Sequence, residues 1–415
     1  MTTESDFRHL LAALISDPGV AGLSLTGAYE SLTGPTVTPP AGTIRQEGQV
    51  VGIFETADGK PAATIDSWGS VASRCEALLA GRFHDGALAD YLNFPLVTLV
   101  GEGDRVLTTS VELSHRQADA TWRLARNELR EAGVAFDEIQ RATRKHPDAL
   151  VTGFPTAIPF GWWHSHTKRS QKAADEANGK KTSSKKNKSA LERGRDEYLG
   201  YYVMNPADSR SARLFTAEFI ATEVRERRRM AAKVDSIFAA VKDDTKIGND
   251  KLSTVGLGSI PPTDLVKKAD RPTPSDLTYK TIESSAFFSF TGLRTFNFSR
   301  PESARPLIAA LTLLLYLLHH QNLSLRAGTE LRLREPGLQI RVERQGAEPE
   351  PLELPDVDDM AALVRDLGAE VGWEGPRVVR ISPESPLGKI IQVVDGSTER
   401  SEEHTSELQS PIVIS

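Results

Sequence analysis

The sequence predicts an α+β domain carrying long inserted loops. Three observations carry that expectation. Short stretches of period-two alternation and stretches of helical spacing succeed one another along the chain. Turn signals such as Asp58-Gly59 join neighbouring short strands. No Gly-x-Gly-x-x-Gly or Gly-x-x-x-x-Gly-Lys-Ser/Thr sequence occurs, so nothing points to a doubly wound sheet with a phosphate-binding loop.

Taken in order, Asp6–Ser16 is spaced as a short amphipathic helix behind polar residues that can cap it. Leu32–Thr43 is rich in Gly, Pro and Thr and reads as a loop. Val50–Phe54 and Ala62–Ile65 read as strands about Asp58-Gly59, and Ser67–Leu79 as a helix. Leu96–Val100 and Val106–Thr109 are strands about a second Gly-Asp turn, followed by a helix over His115–Ala132. Tyr198–Asn205 reads as a strand and Thr216–Lys242 as a long helix. Lys246–Pro274, rich in Gly, Pro and Lys, reads as a loop. Pro301–His320 is the most apolar helix. Thr329–Glu343 alternates Leu and Arg as a strand with one wet side, and Pro349–Pro355 is an acidic, proline-rich linker.

The character changes at His164. From there to Arg195 ten Lys or Arg stand against three acids, with few apolar residues, so this stretch cannot build a core and reads as a mobile basic insertion. It separates residues 1–163 from residues 197–399, with 164–196 as the insertion. A fourth segment, 400–415, begins RSEEHTSELQS, which is the in-frame translation of a common sequencing adapter, so no function is expected of it.

Charge and cysteine content narrow the class. The 415 residues carry a formal net charge of -6, which disfavours a generic polyanion binder and leaves room for local basic clusters. One cysteine, Cys75, rules out a disulfide framework and suits a reducing cytoplasm. The acidic start does not read as a signal peptide, and the apolar stretch Leu307–Leu318 is too short to span a bilayer, so no membrane role is expected.

Several residues are candidates for chemistry. Asp66 or Ser67 sits where a helix N-cap belongs, ahead of Ser70, Arg74 and Glu76; a helix start offers N–H groups to phosphate, or is simply a capped helix with an exposed arginine. His115 and Arg116 open a helix after a strand and either touch a nucleic-acid backbone or lie at the surface. In Gly161-Trp-Trp-His-Ser-His166 the tryptophans either stack on bases or pack in a core, and Trp163, Lys168 and Arg169 suit single-stranded nucleic acid. Gly256 and Gly258 allow close approach to a ligand or a bend before two prolines. Arg294, Arg305 and Arg326 punctuate an apolar region.

Two enzyme readings compete. His164 and His166 resemble the start of the zinc-dependent JAMM isopeptidase motif, but its Ser and Asp positions fall on Ala174 and Ala177, which removes a metal ligand. The alternative is a target-RNA nuclease using an Asp such as Asp66.

Taken together, IDSWGSVASRCEALL, TSVELSHRQADA, GFPTAIPFGWWHSH, GLGSIPP and RPLIAALTLLLYLL followed by LRAGTEL, in that order, resemble the Cas-seven-type backbone subunit of type I-G CRISPR complexes, a branch of the RAMP superfamily. The resemblance spans roughly Gly22 to Leu333. It implies a ferredoxin-like, RRM-like palm with inserted finger and thumb elements, binding crRNA and its target without nuclease chemistry, metal or cofactor. It further implies that copies of the chain stack along the guide beside a large subunit and a guide-processing subunit, with a helicase-nuclease recruited separately. A stand-alone RNA-binding protein is the remaining alternative.

Overall fold

In a computed structural model of the protein, the described residues are 4–40, 52–162, 213–227, 276–321 and 323–393, with short stretches at 45–46, 49–50, 230–233, 236–237, 246–247, 250–251, 257 and 260–264. The principal elements, in chain order, begin with α1 (Glu4–Ser16), β1 (Val20–Ser31), β2 (Ile53–Glu55), β3 (Pro61–Asp66) and α2 (Trp68–Ala77). Next come α3 (Leu88–Leu92), β4 (Val97–Val100), β5 (Val106–Thr109) and a set of short helical turns ending at Phe160. The second half supplies β6 (Phe215–Thr222), β7 (Thr281–Ser289), α4 (Phe290–Arg294), α5 (Pro301–Gln321), β8 (Ser324–Arg326), β9 (Thr329–Leu333), β10 (Gln339–Arg344), α6 (Val357–Val371) and β11 (Arg377–Arg380).

The central sheet is built around β1. Leu23, Leu25 and Tyr29 alternate inward along it and are buried, while Ser24, Thr26 and Ala28 face the other way. Gly27 is required among the inward residues, because a Cβ there would meet the Tyr29 hydroxyl at 2.8 Å. On one side β1 pairs antiparallel with β7, from Gly22↔Ser289 to Tyr29↔Ile282. Its other side is divided between β10, which takes the first half, and β9, which takes the last three residues. β6 then pairs with β7, β3 with β6, and β2 with β3 at the edge. Taking β1, β6, β7 and the β9–β10 strip as four strands, the all-antiparallel spatial order 4-1-3-2 is that of a ferredoxin-like sheet. The protein is an α+β fold with insertions, as the sequence predicts.

The helices cover one face of that sheet. Tyr316 of α5 meets Phe215 edge-on at 5.1 Å between ring centres, and His320 stacks on Tyr29 at 5.7 Å. α5 has the length and apolarity of a membrane span, yet Leu307, Leu311 and Leu314 have no exposed surface, because α1, α2 and α6 pack around it. β4, β5 and β11 form a separate small sheet in which β4 and β11 run parallel.

Four sequence expectations change. Lys246–Pro274 is not all loop, since Ile260–Asp264 is a strand paired antiparallel with Met230–Lys233. Thr216–Lys242 is not a helix: Phe215, Ala217, Phe219 and Ala221 are buried alternately, so the stretch opens as β6, and strands Arg225–Arg227 and Met230–Lys233 follow. Alanine and glutamate favour a helix there, but a two-residue burial period against α5 decides otherwise. His115–Ala132 breaks into three short turns, with Asp119 extended and capping the second through Thr121 N at 2.9 Å. Thr329–Glu343 is two strands, β9 and β10, separated by a turn.

The long basic segment leaves and re-enters the fold at one point. Leu214 N donates to Pro159 O at 2.9 Å, and Arg213 Nε donates to Phe160 O at 3.1 Å. Gly161 has φ +76°, and a Cβ on it would lie 2.9 Å from Arg213 N, so only glycine lets the two ends approach this closely.

Candidate nucleic-acid interface

The N-terminus of α2 faces open space. Ser67 caps it through its hydroxyl, which accepts from Ser70 N at 3.5 Å. Ser67, Trp68 and Gly69 are exposed, and a Cβ on Gly69 would meet nothing within 4 Å. Trp68 is 50 % exposed, an unusual place for the largest apolar side chain.

Directly before this helix start lies Asp66, which is 1 % exposed. Two arginines from distant parts of the chain converge on its carboxylate. Arg74 Nε donates to Oδ2 at 3.2 Å, and Arg326 donates to Oδ1 at 3.4 Å. Arg74 also donates to Leu325 O, and Arg326 to Thr38 O at 3.1 Å. Thr38 O is held from the other side by the Thr329 hydroxyl at 2.7 Å. One buried negative charge therefore fixes two guanidinium groups, which stay 31 % and 21 % exposed. The cluster places two partly exposed guanidinium groups beside a helix N-terminus and an exposed indole. That combination can take a phosphate and stack a base.

Asp66 itself lies beneath the two arginines rather than at the surface.

Other sequence candidates turn out to hold the fold together. Arg116 is 5 % exposed and closes a bidentate pair with Glu76, Nε to Oε1 at 2.8 Å and Nη2 to Oε2 at 2.6 Å. Its remaining nitrogen donates to Gly161 O at 2.7 Å, and its guanidinium lies 5.7 Å from the Phe160 ring centre. Burial pushes the Glu76 carboxyl up, and the adjoining Arg116 charge pulls it back. Arg116 is thus a core residue rather than a surface contact, and His115 beside it is half-buried. Arg294 ties the end of α1 to β1 by donating to Ile15 O, Asp17 O and Val20 O at 2.8–3.0 Å. Arg305 donates to Arg294 O and Phe296 O, both at 3.3 Å. These two arginines brace main chain and are half-buried. Trp162 is 5 % exposed and packs in the core.

Trp163, Lys168, Arg169, Gly256 and Gly258 lie outside the described residues, as do His164, His166, the rest of the basic insertion and the tail from 400. Of the arginines singled out in the sequence, Arg74 and Arg326 converge on one carboxylate. Trp68 was not singled out. Its signal was available: a tryptophan at the first position of a capped helix points outward before the helix has a buried face.

No curated protein matches the chain. Residues 23–175, which include Asp66, Trp68, Arg74 and Arg116, match the model of the family described as CRISPR-associated protein GSU0053. Over that stretch the chain is similar to CRISPR-associated proteins, and a role in CRISPR defence is what the match supports.

Proposed function

We propose that the protein is a crRNA-binding backbone subunit of a type I-G CRISPR surveillance complex, that copies of it line the guide, and that it carries no catalysis of its own. The observation that carries the reading is the Asp66 cluster: two arginines held side by side by one buried acid, next to an exposed tryptophan and an open helix start. Such a site grips backbone and stacks bases without reading sequence, which is what a subunit repeated along an arbitrary guide needs. The similarity over residues 23–175 supports the CRISPR setting. A large subunit, a guide-processing subunit and a separate helicase-nuclease are the partners this reading implies, with target nucleic acid paired to the guide.

Filter binding of a guide-length single-stranded RNA at several salt concentrations tests it. Trp68→Ala should weaken binding about 5- to 150-fold, the range for loss of one stacked base. Its melting temperature should stay near that of the parent, because the ring is half in water. Arg74→Ala should lower the slope of log affinity against log salt by about 1. Unchanged affinity and slope in both variants, with the parent's melting curve retained, would sink the reading.

A further inference from the structure

The two arginines of the Asp66 site are held in different ways. Arg74 stands on α2, eight residues along the chain from the carboxylate it binds, so the passage from strand to helix sets its place. Arg326 ends β8 and faces Thr329 across the two-residue turn Ala327-Gly328, where Gly328 has φ +81°. Its bond to Asp66 is long, at 3.4 Å. Burial, with the Arg74 charge adding repulsion, works against the Arg326 cation, and Asp66 offsets only part of this. A second hold keeps Arg326 beside Arg74: the Thr38 carbonyl, at 3.1 Å.

That carbonyl is itself fixed. Thr38 follows the short strand Thr36–Val37 and precedes Pro39 and Pro40. The Thr329 hydroxyl donates to Thr38 O at 2.7 Å and accepts from Thr38 N at 3.1 Å. Thr38 N also donates to Gly328 O at 3.1 Å. From the other side the Thr38 hydroxyl donates to Asp276 Oδ1 at 3.2 Å, a bond strengthened by the charge of its acceptor. Asp276 opens the strand Asp276–Thr278, which pairs with Thr36–Val37 on one edge and with Arg225–Arg227 on the other. Asp276 is 4 % exposed and Thr329 has no exposed surface. One threonine therefore joins a buried acid on one strand to the guanidinium at the tip of another hairpin.

We propose that Thr38, held by Asp276 and Thr329, is a positioning residue of the site: it keeps Arg326 beside Arg74, so that two guanidinium groups rather than one meet the phosphates of a bound strand. The inference rests on the guide-binding reading and adds what makes its second phosphate contact possible. Thr38 acts through Arg326 and not on the nucleic acid itself.

Filter binding of a guide-length single-stranded RNA at several salt concentrations, beside a melting curve for each variant, tests it on the full chain. Thr38→Val removes the hydroxyl and keeps the branched shape. It should lower the slope of log affinity against log salt by about 1, as Arg326→Ala should. Thr38→Ser retains the hydroxyl and should bind like the parent. Adding Thr38→Val to Arg326→Ala should change the slope no further, whereas adding it to Arg74→Ala should lower it by about 2 in all. A residue that merely supports the fold would lower the melting temperature and leave the slope of the folded protein unchanged in every background. If Thr38→Val fails to melt cooperatively, Thr38→Ala takes its place with the same expectations. A Thr38→Val protein with the parent's slope and affinity, beside an Arg326→Ala protein that has lost slope, overturns the inference and leaves the guide-binding reading standing. So does a further loss of slope when Thr38→Val is added to Arg326→Ala, which would place Thr38 itself against the RNA. Arg74→Ala and Arg326→Ala both binding like the parent would instead remove the guide-binding reading at this site, and this inference with it.

Discussion

Two arginine–carboxylate clusters lie at either end of α2, and they do opposite things. At its C-terminal end Glu76 and Arg116 pair bidentately, with side chains 3 % and 6 % exposed. At its N-terminal end Asp66 serves both Arg74 and Arg326, and both guanidinium groups reach the surface. Burial separates them, since each carboxylate has a second arginine near it: Arg213 acts on Glu76 as Arg326 does on Asp66. A pair sealed from water holds structure. The two cations on Asp66 are positioned by it and keep part of their surface in water, where a ligand can reach them. An arginine in a short helix after a strand looks the same in both segments of the sequence; the difference comes from partners more than two hundred residues away in one case and forty in the other.

Breaking the sealed pair should have the largest effect. Glu76→Ala leaves the Arg116 guanidinium buried without its counter-charge, at a cost of about 3–5 kcal/mol in denaturant unfolding. RNA affinity per folded molecule should not change. A loss well below 1 kcal/mol would mean that Arg116 is not sealed from water.

Acidification sharpens the comparison from another side, because His319 and His320 lie at the end of α5 near Arg74. Burial, with Arg74 adding repulsion, pushes His319 down to about 4; burial, with His319 adding repulsion, pushes His320 down to about 3. Both are neutral in the folded protein at neutral pH. As pH falls below about 6.5 the unfolded chain takes up these protons and the folded chain does not, so stability drops through that window until the folded values are reached. Each histidine should cost about 2 kcal/mol between pH 6.5 and 5. Unfolding curves at the two pH values check this, and His319→Gln should remove about half of the loss.

The smallest stability effect is expected at the open cluster. Arg74→Ala leaves Asp66 with Arg326, so unfolding should change by about 1–2 kcal/mol. Arg74→Ala and Arg326→Ala combined should cost more than the sum of the singles, since the carboxylate then has neither guanidinium; simple additivity would show that the two arginines do not share it.

How much of this was legible varied with the kind of signal. The edge hairpin about Asp58-Gly59, the helix after Ser67 and the apolar α5 follow directly from turn chemistry, capping and composition. β1, the axis of the sheet, was not legible: Gly22, Ser24, Thr26 and Gly27 dilute its alternation because one side is packed tightly and the other is open. α6 carried its signal in plain view, with Asp356 as cap and Met360, Leu363, Val364 and Leu367 at helical spacing, behind a stretch that reads as a linker. At the candidate site Arg74 was visible locally. Its union with Arg326 was not, because a contact across 260 residues between Asp66 and Arg326 depends on the whole sheet being assembled.

The meeting of Gly161 with Arg213 has a practical consequence. The chain leaves at residue 162 and returns at residue 213 through a stem whose two stretches already touch. Loop-closure entropy grows only slowly with length. The stem is therefore a natural graft point: a folded cargo with adjacent termini, such as a fluorescent protein, could replace the native segment and leave β6 in register.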